Sequence, residues 1–296
     1  MPEQGNQQVK RERRIARERP FVLRNRRRIL LSLSVVAVIA VVAIAVLQAR
    51  TGSSGPATAA APADAALVQA VTGLPQSTFD AIGTGGVANT LRATSAPDLT
   101  LDGKPEVLYI GAEYCPFCAA ERWAVVVALG RFGSFDGLKT TRSAPDDVYA
   151  NTPTFSFFGS TYTSQYLAFS GVETETNVRS GGSYTLLQTP TSDQRGILDV
   201  YDAPPYTTNR GSIPFIDIGG KYVVSGSSYS PDLFSGMDWP AVAAKLADPT
   251  SKQAKAVLGS AYLLTAAFCQ LTGGQPAAVC QAAGTRAGAG ALGNGG

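Results

Sequence analysis

The longest apolar stretch of the chain covers residues 29–47, carries no charge and is interrupted only by Ser32 and Ser34. A helix of nineteen residues is roughly 28 Å long at about 1.5 Å per residue, close to the hydrocarbon thickness of a bilayer. The pattern therefore predicts a transmembrane helix over residues 29–47.

Basic residues are concentrated on one side of this stretch. Residues 1–28 hold ten Lys and Arg against three Glu, and three consecutive arginines abut the apolar stretch. By the positive-inside rule, residues 1–28 are predicted to be cytoplasmic and the rest of the chain extracytoplasmic. This arrangement favours a topology signal over a nucleic-acid-binding arm. A secreted protein with a cleaved signal peptide is the alternative, because Ala43-Ile44-Ala45 offers a small-residue cleavage pattern.

Two segments have a composition that cannot bury enough apolar surface to fold. Residues 48–66 are rich in Gly, Ser, Ala and Pro, which predicts a flexible linker. Residues 284–296 are similar and are predicted to be a disordered tail. The intervening residues 67–283 are expected to form one extracytoplasmic domain.

Within this domain, strand-like and helix-like patterns alternate. The continuous apolar run at 106–112 is typical of a central parallel strand. Further strands are predicted at Phe155 and Phe157, at Leu167 and Phe169 beyond a turn-rich segment at 159–164, and in a hairpin of 213–218 and 222–224 around Gly219-Gly220. Helices are predicted at 66–72, 76–82, 115–130, 240–248 and 251–271, and from a Thr191–Gln194 capping box to about Tyr201. This order predicts an α/β fold.

Composition narrows the chemistry. Charged residues make up 16% of the chain, and histidine is absent. The absence of histidine excludes Ser-His and Cys-His nucleophilic machinery, His-ligated metals and c-type haem. We expect neither a metal nor another cofactor, and the candidate chemistry rests on the four cysteines, at 115, 118, 269 and 280.

The segment Cys115-Pro116-Phe117-Cys118 follows the predicted central strand and opens a predicted helix. At a helix N-terminus, unpaired backbone N–H groups and the helix dipole stabilise a thiolate at Cys115. Cys118 lies one turn further on, where it can attack a mixed disulfide, and Pro116 suits the first helical position. A thiolate needs no separate histidine base.

The segment YIGAEYCPFCAAERW resembles the active-site strand and helix of the thioredoxin superfamily. The resemblance covers roughly residues 100–250, with a middle insertion at about 140–190. Together with the TFSFFGSTYTSQY segment and the C-terminal cysteine pair, CPFCAAERW more closely resembles a membrane-anchored, thioredoxin-like family of unknown function.

This resemblance implies a thioredoxin-like fold and assigns roles to several residues. Cys115 would be the attacking cysteine and Cys118 the resolving one. Pro214 would be a cis-proline facing the cysteines, and Ile213 would supply backbone contacts to a substrate. Pro116 and Phe117 would line the same substrate groove.

The sequence also departs from that family. Thioredoxins commonly carry a buried Asp six residues before the first cysteine, and Tyr109 occupies that position here. Glu121, on the same helical face as Cys118, is a candidate substitute proton carrier. The alternative is an ordinary solvated or salt-bridged glutamate. Because the site lacks the histidine of strongly oxidising C-P-H-C sites, oxidase, reductase and isomerase activities all stay open.

Cys269 and Cys280 lie on either side of the turn between two predicted helices, and they are predicted to form a structural disulfide. A second redox pair that relays electrons to Cys115 and Cys118 is the alternative. A zinc site is disfavoured by the spacing of the second pair and by an oxidising compartment.

Other side chains carry weaker signals. Glu173 and Glu175 alternate along a strand and are expected to be solvated. The aromatic residues at 155–169 are expected to pack within a sheet, with a flap beside the substrate groove as the alternative.

Taken together, the sequence predicts a membrane-anchored, extracytoplasmic thiol–disulfide oxidoreductase. Its partners would be protein thiols or disulfides outside the cytoplasm, a redox protein that recharges it, and the membrane through residues 29–47, but no nucleic acid. The alternative is a non-catalytic thioredoxin-like binding module in which all four cysteines form structural disulfides.

Overall fold

The structure is a computed structural model that describes residues 57–87 and 91–293 of the 296-residue chain. All of these residues belong to one compact unit of the chain, Ser54–Gly296. The predicted cytoplasmic segment 1–28 and transmembrane helix 29–47 lie outside the described residues, as does the first part of the predicted linker.

The described residues form both strands and helices, as expected for a mixed α/β fold. The strands are β1 (Ala61–Pro62), β2 (Arg92–Ala93), β3 (Thr100–Leu101), β4 (Lys104–Gly111), β5 (Gly133–Asp136), β6 (Lys139–Arg142), β7 (Pro153–Ser156), β8 (Thr161–Ser164), β9 (Ala168–Glu173), β10 (Glu175–Ser180), β11 (Ser183–Leu186), β12 (Phe215–Ile218) and β13 (Tyr222–Ser225). The helices are α1 (Ala65–Thr72), α2 (Gln76–Ile82), α3 (Pro116–Gly130), α4 (Ser192–Tyr201), α5 (Trp239–Leu246), α6 (Lys252–Leu271), α7 (Ala277–Cys280) and α8 (Ala283–Gly293), with a 3₁₀ turn at Pro231–Phe234.

Strand β4 is the centre of the main sheet. It pairs in parallel with β9, from Glu106 opposite Ala168 to Gly111 opposite Glu173, and antiparallel with β12. The sheet order is β2-β13-β12-β4-β3, and β9 pairs with β4 outside that path. Six of the eight residues of β4 are buried, which confirms the prediction of a central parallel strand. The predicted hairpin also forms, as β12 and β13.

Both faces of β4 are covered, which explains its unbroken apolar run. Successive side chains of a strand point to opposite faces. Val107 and Tyr109 therefore join the main core, whereas Leu108 and Ile110 join a smaller cluster against which α4 packs. Helix α4 begins with the predicted capping box, in which Thr191 and Gln194 bond each other's backbone.

Helices α3 and α6 build the main core. Thirteen of the fifteen residues of α3 and fourteen of the twenty residues of α6 are buried. Trp123 packs edge-to-face on Phe155 at 4.8 Å and donates from Nε1 to the carbonyl of Pro153 at 2.8 Å. Helix α6 is the one helix among the described residues that is long and apolar enough to cross a bilayer, but 72% of its apolar window is buried, as in a core helix.

Most strands of the sequence segment between α3 and α4 form small antiparallel sheets apart from the main sheet. Strand β7 pairs with β6, β6 pairs with β1, and β10 pairs with β11. The strands predicted around 155 and 169 form, as β7 and β9, but the predicted turn at 159–164 was wrong in part. Residues 161–164 are strand β8, because they pair with β5 from Gly133 to Asp136. Phe135, Phe157, Tyr162 and Phe169 pack together there, as the sheet-packing interpretation expected.

Two segments of low-complexity composition differ from their predicted disorder. Strand β1 and the start of α1 lie within the predicted linker 48–66. This part of the linker has regular structure because Ala61 and Pro62 pair with β6. Residues 284–293 of the predicted tail 284–296 belong to α8, which packs against α6. Small side chains allow this approach, since a Cβ at Gly284 would collide with the ring of Tyr262.

Candidate functional site

The cysteine pair lies at the junction of the central strand β4 and helix α3. Cys115 is the N-cap of α3, and its Sγ accepts a hydrogen bond from the backbone N–H of Cys118 at 3.3 Å. Pro116 follows at the first helical turn, where its missing N–H costs nothing. A sulfur in this position meets the partial positive charge of the helix N-terminus, which favours a thiolate.

The two thiols are free and differ in their surroundings. Cys115 is 5% exposed, Cys118 is fully buried, and Phe117 between them is 41% exposed. A hydrogen bond from the Cys118 side chain, aided by backbone N–H groups, lowers the pKa of Cys115 despite its burial. Burial raises the pKa of Cys118 well above its ordinary value. These surroundings favour the thiolate at Cys115 and the protonated thiol at Cys118.

A loop from the far half of the chain faces Cys115. The Ile213–Pro214 peptide bond is cis, as the resemblance implied, and Cys115 Sγ lies 3.8 Å from the carbonyl oxygen of Ile213. The carbonyl of Pro214 accepts a hydrogen bond from the N–H of Gly226 at 2.8 Å, which ties this loop to the end of β13. The structure thus brings together Cys115, Cys118, Ile213 and Pro214.

Glu121, the candidate proton carrier, is fully buried on α3, so it is not a solvated glutamate. Its carboxylate accepts hydrogen bonds from the N–H of Ser228 at 2.8 Å, the Ser228 hydroxyl at 3.1 Å and the Ser260 hydroxyl at 3.2 Å. No ion pair with a cation involves it among the described residues. Burial raises its pKa, which favours the protonated acid.

Glu173 was expected to be solvated, and that expectation was wrong. Both Glu173 and Arg122 are fully buried, and the carboxylate binds Arg122 Nε at 2.8 Å and Nη2 at 2.5 Å. This strand end, which looks exposed in the sequence, is buried, and its carboxylate contacts Arg122 of α3 and the backbone N–H of Phe157 just after β7. The sequence of α3 contains one indication of a buried ion pair, because Glu121 and Arg122 are the only charged residues in an otherwise apolar helix.

Two more polar groups near the cysteines were not singled out as functional. Glu113 is 2% exposed, its carboxylate accepts from the Ser156 hydroxyl at 2.5 Å, and burial raises its pKa. Tyr109 is fully buried on β4, and its hydroxyl has no hydrogen-bond partner among the described residues.

Aromatic side chains surround the exposed edge of the site. Phe117 packs edge-to-face on Tyr149 with ring centroids 5.7 Å apart. On another side, Tyr114 stacks on Tyr184 of β11 at 4.1 Å. Both partners come from the segment between α3 and α4, so this segment forms part of the rim around Cys115.

Cys269 and Cys280 form a disulfide with Cα atoms 5.5 Å apart. It joins the end of α6 to α7, so the structure contains the predicted bond between the two helices. Among residues 57–87 and 91–293, no group of three or more Cys, Asp or Glu side chains is arranged to hold a metal ion.

The fold and the site define a mixed α/β protein with a cysteine pair at the start of a buried helix. A family model described as a domain of unknown function (DUF929) matches residues 91–270, and the chain belongs to this family. The matched region contains the cysteine pair, the Ile213–Pro214 loop and Cys269. No curated protein and no solved structure matches the chain.

Proposed function

We propose that this protein is a thiol–disulfide oxidoreductase with a thioredoxin-like fold. The observation that carries the proposal is the environment of Cys115, whose Sγ accepts from the Cys118 N–H at the start of α3 and faces Ile213 across the site. The thiolate-stabilising helix end and the second thiol are what disulfide exchange requires. The cis Ile213–Pro214 loop beside them is the further feature that the resemblance to thioredoxins implies.

The connectivity of the main sheet supports the thioredoxin-like assignment. Strands β13, β12, β4 and β9 lie side by side, with β9 parallel and β12 antiparallel to β4. The cysteine helix α3 follows β4, and α6 follows the β12–β13 hairpin. A thioredoxin-like domain is expected to have this strand order and these two helices. The middle insertion was predicted at about 140–190, but β9 (Ala168–Glu173) lies within that range and pairs with β4, so the additional strands lie on both sides of β9 in the sequence.

The proposed reaction transfers two electrons. The Cys115 thiolate attacks a substrate disulfide, forms a bond to one substrate sulfur and releases the other as a thiolate that takes up a proton. Cys118 then loses its proton and attacks Cys115 Sγ, which forms the Cys115–Cys118 disulfide and releases the second substrate thiolate. The reverse sequence oxidises a substrate dithiol.

We further propose that the domain acts outside the cytoplasm, tethered by residues 29–47. The Cys269–Cys280 disulfide supports this placement, because structural disulfides persist mainly in oxidising compartments. Substrates would then be extracytoplasmic protein thiols or disulfides, and a separate redox partner would recharge the cysteine pair.

The test uses the full-length chain in detergent, a disulfide-bonded peptide as substrate and dithiothreitol as electron donor. Wild type should accelerate reduction of the peptide, and Cys115→Ala should not. The matched control is Cys269→Ala/Cys280→Ala, which removes the other cysteine pair. Exchange that persists in Cys115→Ala would sink the assignment.

A thiol-trapping series separates an enzyme from a binding module. Exchange catalysts have potentials from about −270 to −120 mV. The Cys115–Cys118 pair should titrate within that range, whereas a pair that is still oxidised at about −300 mV, as structural disulfides are, would favour a non-catalytic binding module.

A further inference from the structure

Arg122 is the only Lys or Arg that is fully buried in the part of the chain that the structure describes. It lies on α3 one turn after Cys118, on the face that the second cysteine shares. Burying a guanidinium is costly, and a buried ion pair is often no more stable than apolar side chains of the same volume. The position of this charge therefore calls for an explanation other than stability.

The guanidinium is fixed by two carboxylate contacts. Glu173, the last residue of β9, accepts from Nε and Nη2 in a bidentate arrangement. One oxygen of Glu173 also accepts the backbone N–H of Phe157 at 3.2 Å, which fixes the carboxylate in turn. Arg122 consequently has one orientation, between α3 and the ends of the two parallel strands.

A shared acceptor connects Arg122 to Cys115. The carbonyl oxygen of Ala112 accepts Arg122 Nη2 at 2.7 Å and the backbone N–H of Cys115 at 3.3 Å. Arg122 Nη1 is buried without a hydrogen-bond partner among the described residues, and the guanidinium carbon lies 5.7 Å from the ring centroid of Tyr109. The ion pair with Glu173 therefore leaves one N–H group of the buried guanidinium without an acceptor among the described residues.

We propose that Arg122 is a positioning residue of the cysteine pair: it holds the Cys115 backbone through Ala112 and stabilises the thiolate form electrostatically, which makes the pair more oxidising. This inference rests on the proposed oxidoreductase function. Because the reduced pair contains the thiolate and the disulfide is neutral, a nearby cation stabilises the reduced state and raises the reduction potential. No histidine exists in the chain to supply that charge.

The other titratable groups around the pair are acids and phenols. Glu173 and Tyr109 contact Arg122 from β9 and β4, and Glu113 and Tyr114 lie next to Cys115 in the chain. Hydrogen bonds from Cys118 lower the pKa of Cys115 and burial raises it, and both effects are larger than that of Arg122, whose charge also lowers this pKa. At Cys118, the charge of Arg122 opposes the increase in pKa that burial causes.

The experiment changes the charge beside the thiols in both directions in the full-length protein. Glu173→Gln leaves Arg122 without its counter-charge, whereas Arg122→Met/Glu173→Gln removes the ion pair and leaves no unpaired buried charge. Arg122→Lys is the conservative variant. Two properties are measured for each: the equilibrium constant of the Cys115–Cys118 pair with glutathione, and the pH dependence of iodoacetamide alkylation of Cys115.

In each variant we expect both properties to change together. The change in Glu173→Gln should be opposite in direction to the change in the double variant. Glu173→Gln should make the pair more oxidising and Cys115 alkylation should begin at lower pH, whereas the double variant should do the reverse. The shift in the double variant should be about tenfold in the equilibrium constant, equivalent to about 30 mV. Arg122→Lys should retain most of the wild-type value.

The role of Arg122 would be overturned if Glu173→Gln and the double variant shifted both measurements in the same direction. It would also be overturned if the double variant stayed within twofold of wild type in both measurements. Neither result would contradict the oxidoreductase function. Failure of the wild type to exchange with glutathione would instead reject the proposed function, and alkylation would still report the charge effect. Circular dichroism identifies variants that do not fold. If the double variant is among them, Glu173→Gln and Arg122→Lys decide the outcome.

Discussion

Cys115 Sγ lies 3.8 Å from the carbonyl oxygen of Ile213, a residue 98 positions further along the chain. The main sheet creates this contact, because β12 runs antiparallel beside β4 with Phe215 opposite Ile110. The end of β4 and the start of β12 therefore meet at one edge of the sheet. Under the proposed function, a substrate sulfur bound at Cys115 would lie beside this loop, and Ile213 and Pro214 would form one wall of the site.

Cys118→Ser should trap a covalent complex with substrate. Cys115 can still attack a disulfide, but no second thiol remains to release the bound sulfur. We expect turnover to be abolished and a mixed disulfide to accumulate on Cys115, visible by mass spectrometry and lost on reduction. Cys115→Ser is the control and should form no such adduct, since its pair partner Cys118 is fully buried. An adduct on Cys118 would contradict the assigned order of attack.

Glu121→Gln tests the proton carrier proposed from its position on the helix. If Glu121 exchanges the proton of Cys118, the neutral amide should slow release of the mixed disulfide by about 10²-fold, the lower end of general acid–base contributions. Single-turnover decay of the mixed disulfide measures this step. Glu113→Gln is the matched control, because Glu113 is also a buried carboxyl near the site. Equal rates for Glu121→Gln and wild type would assign Glu121 to packing alone.

Local patterns predicted the parts of the site that are close in sequence. The apolar run of β4, the Pro at the start of α3 and the C-x-x-C spacing all act over a few residues, so Cys115 and Cys118 could be placed directly. The hairpin of β12 and β13 followed from its Gly-Gly turn for the same reason.

The remainder depends on contacts between distant residues. Arg122 and Glu173 are 51 positions apart, and only the parallel pairing of β4 with β9 brings them together. Glu173 follows an alternating strand pattern that is equally typical of a solvated edge. Likewise, Gly-rich composition alone does not show that α8 can pack closely on α6.

Removing the second cysteine pair should affect stability rather than exchange. The disulfide that closes the loop between Cys269 and Cys280 is expected to stabilise the fold by on the order of 3 kcal/mol in the chain-entropy model. Cys269→Ala/Cys280→Ala should lower the free energy of unfolding by about this amount, measured in urea, and leave the rate of peptide disulfide reduction within about twofold. A large loss of exchange in a folded double variant would instead support an electron relay from Cys269 and Cys280.

Asp217 should make stability depend on pH. Burial raises its pKa from 3.8 to about 6, although its carboxylate accepts the Gly220 N–H at 2.7 Å. A group whose pKa is higher in the folded state contributes its stability below the unfolded pKa and loses it as pH rises through the folded value. Its contribution should therefore be lost between pH of about 4 and about 6.

Asp217→Asn should remove that part of the pH dependence. At pH 7 the variant should be more stable than wild type by about 2–3 kcal/mol, because an amide can still accept from Gly220 and is not penalised for charge. Urea unfolding at pH 4 and pH 7 provides the measurement. Exposed Asp136 on β5 provides the control variant Asp136→Asn, which should not change the difference between the two pH values.

The packing of α8 can be tested with two glycines of the same helix. A Cβ at Gly284 would collide with the ring of Tyr262, whereas nothing lies within 4 Å of a Cβ at Gly290. Gly284→Ala should destabilise the protein by about 1–3 kcal/mol, as overpacking does. Gly290→Ala should be neutral or stabilising by up to about 1 kcal/mol, because alanine favours a helix. Thermal unfolding and hydrogen exchange of residues 283–293 measure both effects. Equal behaviour of the two variants would mean that α8 does not pack against α6 in solution.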